Sequence, residues 1–283
     1  MDLKKAGVVG AGTMGNGIAH VFAMSGYQVV MMDVDQSFVD RAIGVITKNL
    51  DRMIKKEKIT EADKEATLKR IQKTTSLQDM AGCGIVVEAA SEDYAVKQKI
   101  FKDLDSICAK GAILATNTSS ISVTQIASNT TCADKVVGMH FMNPVPMMKL
   151  VEIVKGVQTS EETSKAVEDL AKKLGKTPVV VNDYPGFVSN RVLMPMINEA
   201  CWTLMQGVAD KEAIDTVMKL GMAHPMGPFE LADLIGLDVC LAIMEVLYEG
   251  FSDSKYRPCP LLRNMVRAGY LGRKTKRGFY TYE

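Results

Sequence analysis

The sequence predicts an α/β protein: a Rossmann-type, mostly parallel sheet domain with a projecting helical hairpin, followed by an all-helical C-terminal domain. Three observations lead there. Short, continuously apolar runs alternate with helix-patterned segments as far as Val181, the texture of strands covered on both faces rather than of an antiparallel sheet with one wet face. The first of these runs ends in the glycine-rich turn G-A-G-T-M-G. Beyond Asp183 the strand-like runs stop and apolar residues recur at helical spacing. A chain of 283 residues is long for one ordinary domain and short for three, and the break at N-D-Y-P-G-F divides it into residues 1–183 and 184–283.

Taken in order, Lys5 to Gly10 reads as a buried strand, and T-M-G-N-G-I-A-H-V-F-A-M-S-G as a helix closed by Gly26. Gln28 to Met32 is the second strand. Further strands are expected at Gly84–Val87, Ala112–Ala115, Val136–His140, Leu150–Val154 and Pro178–Val181. The charged stretch from Gln36 to Lys73 has helical spacing and a capping-box pattern, Thr60-x-x-Asp63, so it is expected to form the hairpin. In the C-terminal part, Val192, Leu193, Met196, Ile197, Ala200, Cys201 and Leu204 recur at helical spacing, as do Ile214, Val217 and Met218, then Leu237, Leu241, Met244 and Leu247. Pro195 is expected to kink the first of these helices.

Composition narrows the function. With 34 Lys and Arg against 33 Asp and Glu, the net charge of +1 supplies no general field for nucleic acid or an anionic membrane, so any anion must be met by a local pocket. The six cysteines form no C-x-x-C pair and are expected to be reduced and mostly buried. No apolar run approaches the ~18 residues of a spanning helix, and no signal segment precedes the first strand. A cytoplasmic location is the expectation.

The turn at Gly10, Gly12, Thr13, Met14 and Gly15 is a dinucleotide fingerprint: one glycine for the tight turn, one for backbone approach to phosphate, one for packing helix on strand. Its context is right, since a strand precedes it and a helix follows, whose N-terminal amides can hold a pyrophosphate. Asp33 closes the second strand at the distance expected of a carboxylate that accepts the ribose hydroxyls. An acid there repels a 2′-phosphate, and the nearest downstream arginine is Arg41, so NAD is favoured over NADP.

Only three histidines are present. His20 lies inside the first helix, where packing or capping explains it. His224 lies in a helix connection. His140 ends a strand, at the edge where α/β sheets place ligands, and Glu152 follows on the next strand. A strand-end histidine can be structural; paired with a carboxylate it becomes an acid/base whose imidazolium is stabilised. Asn117 and Ser119, in N-T-S-S, follow a strand at the same edge and suit a developing alkoxide. The same segment can serve as a helix N-cap before Val123, through Ser119 or Ser120, or do both.

Several blocks together carry a resemblance: N-T-S-S, H-F-M-N-P-V-P-M-M-K-L-V-E-I, D-Y-P-G-F-V-S-N-R, H-P-M-G-P-F-E-L-A-D-L-I-G-L-D and the terminal K-T-K-R-G-F-Y-T-Y. Over essentially its whole length the chain resembles the L-3-hydroxyacyl-CoA dehydrogenases, the bacterial short-chain 3-hydroxybutyryl-CoA dehydrogenases most of all. The resemblance implies His140 as base and Glu152 as its orienting partner, with Ser119 and Asn190 on the substrate oxygen and carbonyl. It implies Asn117 and Asn143 at the nicotinamide half of the cofactor, with Glu92 and Lys97 lining that site, and it assigns no metal. His140 would then take the 3-hydroxyl proton as the C3 hydride passes to NAD, giving a 3-ketoacyl-CoA.

Coenzyme A carries phosphates that a neutral protein must meet with local cations. Arg52, Lys55, Lys56 and Lys58 cluster on the hairpin, and the resemblance suggests Lys56 or a neighbour for that task; a solvated helix face is the other reading. The apolar C-terminal helices and the family together imply a homodimer. Lys276 departs from the family, which commonly has glycine there. Three rivals stand beside this reading. A β-hydroxyacid dehydrogenase would use a lysine base where Asn190 stands, a sugar-acid dehydrogenase would lack use for the basic hairpin, and a non-catalytic nucleotide-binding relative would tolerate loss of the His140–Glu152 pair.

Overall fold

The computed structural model describes residues 3–283. The chain divides into two compact units, up to Asp183 and from Tyr184 onward. The first contains an eight-stranded sheet in the order β3-β2-β1-β4-β5-β6-β7-β8. Its strands are β1 (Lys5–Val9), β2 (Gln28–Met32), β3 (Ile71–Thr74), β4 (Ile85–Glu88), β5 (Ile113–Thr116), β6 (Val136–Phe141), β7 (Leu150–Lys155) and β8 (Thr177–Asn182). Every pairing is parallel except β6 with β7. Residues of β4, β5 and β6 are buried throughout, which is why they read as unbroken apolar runs.

Among the described residues this unit has six α-helices: α1 (Thr13–Met24), α2 (Gln36–Lys55), α3 (Glu61–Lys69), α4 (Tyr94–Ile107), α5 (Val123–Ala127) and α6 (Glu161–Lys173). The hairpin is α2 and α3. Its stripe of Val39, Ala42, Ile46 and Leu50 joins the sheet core together with Ile18 and Phe22 of α1, each large side chain contributing about 1.5–3 kcal/mol by leaving water. Thr60 and Asp63 form a reciprocal capping box at the start of α3: the Asp63 amide donates to Thr60 Oγ1 at 3.2 Å and the Thr60 amide to Asp63 Oδ2 at 2.8 Å.

One strand departs from the sequence expectation. Ile71 to Lys73, expected as the end of the helical hairpin, belong to the edge strand β3. Only Ile71 of its four residues is buried, so I-Q-K-T carries neither an alternating nor a continuous apolar pattern. Edge strands are short and polar for a reason, since an apolar one would recruit other chains.

The second unit is helical: α7 (Ser189–Met205), α8 (Lys211–Thr216), α9 (Pro228–Ile235), α10 (Leu237–Phe251) and α11 (Pro260–Arg267). Its core gathers Met194, Ile197, Cys201, Phe229, Cys240, Met244, Leu247 and Leu262. Two buried aspartates tie its segments together, Asp215 the start of α9 and Asp233 the C-terminal residues. Asp215 accepts the Phe229 and Glu230 amides and the Tyr280 hydroxyl, while Asp233 accepts the Phe279 and Tyr280 amides and the Tyr282 hydroxyl. Helix α7 continues through Pro195. Its buried face runs through Met194, Ile197 and Cys201, whereas Val192 is 69% exposed despite its place in the apolar periodicity. Of the six cysteines, all unpaired, Cys83, Cys201, Cys240 and Cys259 are buried and Cys108 and Cys132 half-buried. No helix among the described residues is long and apolar enough to cross a membrane.

Candidate active site

The strand order reverses between β1 and β4, and outside the carboxyl ends of these strands lies a cleft of about 910 Å³. Gly10, Gly12, Thr13, Met14, Asp33 and Ala89 are among the residues that line it. Gly10 has φ +98°, and a Cβ there would stand 2.5 Å from the Ala89 carbonyl oxygen. At Gly15 a Cβ would stand 1.7 Å from the Gly10 carbonyl oxygen, so helix and strand end close only over glycine. Gly12 is different, since a Cβ would meet nothing within 4 Å; its backbone borders open space. Among the described residues no side chain caps α1, whose first-turn amides are thus available to an anion. Asp33 Oδ2 accepts the Ala11 amide at 2.7 Å and Oδ1 the Val34 amide at 2.7 Å, which fixes the carboxylate at the cleft wall. This donor and acceptor set fits an adenosine ribose and pyrophosphate.

At the same sheet edge, His140 and Glu152 stand directly opposite one another in the antiparallel β6–β7 ladder. Their side chains, both buried, meet with 2.8 Å between Nδ1 and Oε2. Asn117, just past β5, accepts the Phe141 amide on its side-chain oxygen at 2.9 Å and so ties the end of β5 to the residue after His140. Asn143 is exposed in the β6–β7 connection.

Glu92 gathers the N-T-S-S turn. Its Oε1 accepts the Thr118 hydroxyl at 2.6 Å, the Ser119 and Ser120 amides at 2.9 and 3.0 Å, and the Ser120 hydroxyl at 2.9 Å; Ser119 Oγ lies 3.3 Å away. Burial works to raise this carboxyl, but the Lys97 charge and the hydrogen bonds from the turn outweigh it and hold Glu92 below the ordinary glutamate value. The cap of α5 is Ser122, which accepts the Gln125 amide at 3.1 Å. Ser119 and Ser120 therefore do not cap that helix.

Lys97, expected to line the cofactor site, is only 1% exposed. Its ammonium bonds both oxygens of Glu88, at 2.7 and 3.0 Å, and lies 3.5 Å from Glu92. Sequence reasoning misses Glu88 altogether. It ends the apolar run I-V-V-E, and the signal that could have found it is a lysine nine residues on, at the start of a helix.

Arg52, Lys55, Lys56 and Lys58 are all exposed at the tip of the hairpin, and none makes an ion pair among the described residues. In the helical unit, Asn190 lies in the first turn of α7, its amide bonded to the Gly186 carbonyl at 3.1 Å.

A dinucleotide cleft at the switch point of a parallel sheet, with a histidine–carboxylate pair at the same edge, defines a pyridine-nucleotide-dependent dehydrogenase class. Comparisons place the chain within that class. Residues 5–184 match the model of the 3-hydroxyacyl-CoA dehydrogenase NAD binding domain, and residues 186–282 that of the 3-hydroxyacyl-CoA dehydrogenase C-terminal domain. A probable 3-hydroxybutyryl-CoA dehydrogenase of Deinococcus radiodurans is 58% identical, covering 98% of this chain and 100% of its own. The 3-hydroxybutyryl-CoA dehydrogenase of Bradyrhizobium diazoefficiens is 52% identical over 99% of this chain and 96% of its own. The crystal structure of (S)-3-hydroxybutyryl-CoA dehydrogenase from Ralstonia eutropha superposes with a TM-score of 0.97 at 55% identity, each chain covered to 100%. The chain belongs to the 3-hydroxyacyl-CoA dehydrogenase family.

Proposed function

We propose that this protein interconverts short-chain 3-hydroxyacyl-CoA and 3-ketoacyl-CoA, with 3-hydroxybutyryl-CoA and acetoacetyl-CoA as the natural pair and NAD as cofactor. The observation that carries the chemistry is the opposed His140–Glu152 pair at the sheet edge that bears the dinucleotide cleft. Gly10, Gly12 and the start of α1 hold the pyrophosphate, and Asp33 the adenosine ribose. NAD bound there would supply the hydride acceptor for C3 of the hydroxyacyl group, and NADH the donor in the reverse direction.

The chain's own residues manage the proton and the oxygen. His140 removes the proton of the 3-hydroxyl through Nε2, because Nδ1 is committed to Glu152. The buried carboxylate stabilises the imidazolium formed, and its bond to Nδ1 holds the ring in the tautomer that accepts at Nε2. Ser119 steadies the substrate oxygen, with Glu92 fixing the turn that presents it. Asn190 is assigned to the substrate carbonyl and Asn143, with Asn117, to the nicotinamide half. The exposed cations around Lys56 suit the phosphates of coenzyme A.

Val192, Val217, Leu220 and Met222 are 69%, 59%, 84% and 59% exposed on the helical unit. Such apolar surface supports a homodimer formed through that unit, and a monomer by light scattering at micromolar concentration contradicts it. A cytoplasmic location completes the proposal. The activity is tested by following the absorbance of NADH on addition of acetoacetyl-CoA.

A further inference from the structure

Glu88 is fully buried at the end of β4, between Val9 of β1 and Thr116 of β5, and the reaction described above does not use it. Stability is a weak reason for a charge in that place, since apolar residues of similar volume commonly do as well as a buried ion pair. The directions of its hydrogen bonds point elsewhere. Oε1 accepts the Ala90 amide at 2.7 Å along with Lys97, and Oε2 accepts the Thr116 hydroxyl at 2.8 Å along with Lys97.

Each of these bonds leads to a part of the candidate site. Ala89, beside Ala90, supplies the carbonyl against which Gly10 closes. The Thr116 hydroxyl accepts the Thr118 amide at 3.2 Å, and between them Asn117 donates its amide to the Glu88 carbonyl at 2.8 Å. Asn117 then holds the Phe141 amide, next to His140. Lys97 continues to Glu92 and so to Ser119 and Ser120.

We propose that Glu88, acting through Thr116 and Lys97, is a positioning residue: it sets the 117–120 turn, and through Asn117 the end of β6, against the wall of the dinucleotide cleft. The assignment rests on the dehydrogenase reading above. A glutamine at position 88 keeps the volume but turns one oxygen into an amide donor, which then opposes the Lys97 ammonium in either orientation, together with the Ala90 amide or the Thr116 hydroxyl. Valine at position 116 keeps the shape of threonine and removes the hydroxyl alone. Misalignment of this kind slows the chemical step more than it weakens binding.

The test is steady-state kinetics with NADH and acetoacetyl-CoA on wild type, Glu88→Gln, Thr116→Val and Thr116→Ser, with the melting temperature of each. Glu88→Gln and Thr116→Val are expected to lower kcat about tenfold or more, Thr116→Val with both KM values within about threefold of wild type. Thr116→Ser, which keeps the hydroxyl, restores kcat to within about twofold. Undiminished kcat in folded Glu88→Gln and Thr116→Val overturns the assignment. So does equal loss in Thr116→Val and Thr116→Ser, or a fall in kcat that merely follows the melting temperature and both KM values. If Glu88→Gln does not fold, the Thr116 pair decides. An inactive wild type overturns the dehydrogenase reading and this assignment with it.

Discussion

His140 and Glu152 occupy directly opposed positions of the β6–β7 ladder, with 2.8 Å between Nδ1 and Oε2. The antiparallel return of β7 creates this relationship, since a parallel crossover would carry residue 152 to another level of the sheet. Two strands therefore hold the imidazole and the carboxylate, and neither depends on a loop.

Replacing that carboxylate by an amide keeps an acceptor for Nδ1 and removes the charge. Glu152→Gln is expected to lower kcat about 10²-fold, with smaller changes in KM, because the imidazolium loses its counter-charge. Steady-state kinetics check this, and an unchanged kcat contradicts the role given to Glu152.

Asp33 is locked to the Ala11 and Val34 amides, so its lone pairs face the cleft in one orientation. Asp33→Ala is expected to raise the KM for NADH by about 10–100-fold, the worth of hydrogen bonds to a charged group, and to narrow the preference over NADPH. The KM for acetoacetyl-CoA stays within about twofold. Equal losses for both substrates contradict the placement of the ribose.

His20 carries a pH dependence of stability. It is fully buried in α1, and neither ring nitrogen has a hydrogen-bond partner among the described residues. Burial first, and then the charge of Lys176, push its pKa down from 6.5 to about 4. The unfolded chain thus binds a proton more readily than the folded one, and the stabilisation present above pH 6.5 is lost as pH falls toward about 4. The full shift is worth about 3 kcal/mol. Denaturant unfolding of wild type and His20→Leu at neutral and acid pH reads it: the variant gains relative stability on acidification. A constant difference between the two proteins contradicts the assignment.

Lys276 has φ +58°, a left-handed conformation that costs a residue with a Cβ about 1–2 kcal/mol. Glycine at this position removes that strain but enlarges the entropy of the unfolded chain. Lys276→Gly is expected to stabilise by about 0.5–1 kcal/mol net and to raise the melting temperature by about 1–4 °C. A lower melting temperature contradicts this account of the turn.

The legible parts of the fold are those whose role demands particular residues at fixed spacing. β1, the glycine turn and Asp33 announce themselves because a parallel strand, a turn that excludes Cβ and a ribose carboxylate each demand particular residues at fixed spacing. β3 does not, since an edge strand with one buried residue has no pattern to show. Glu88 and Lys97 meet only in the folded chain, and nothing in their spacing says that both charges leave water. The N-T-S-S segment carries two meanings in sequence, cap and ligand. The structure separates them by giving the cap to Ser122 and the turn to Glu92.

The proposed acid/base of this NAD-dependent 3-hydroxyacyl-CoA dehydrogenase is His140. The most direct test of that role is the rate of NADH oxidation by acetoacetyl-CoA in wild type and His140→Gln, with NADPH as the comparison cofactor. The expected result is a wild-type rate with NADH well above that with NADPH, and a fall of about 10²–10⁴-fold in the variant while NADH still binds. A wild type that oxidises neither cofactor contradicts the function, and a His140→Gln enzyme as fast as wild type contradicts the mechanism.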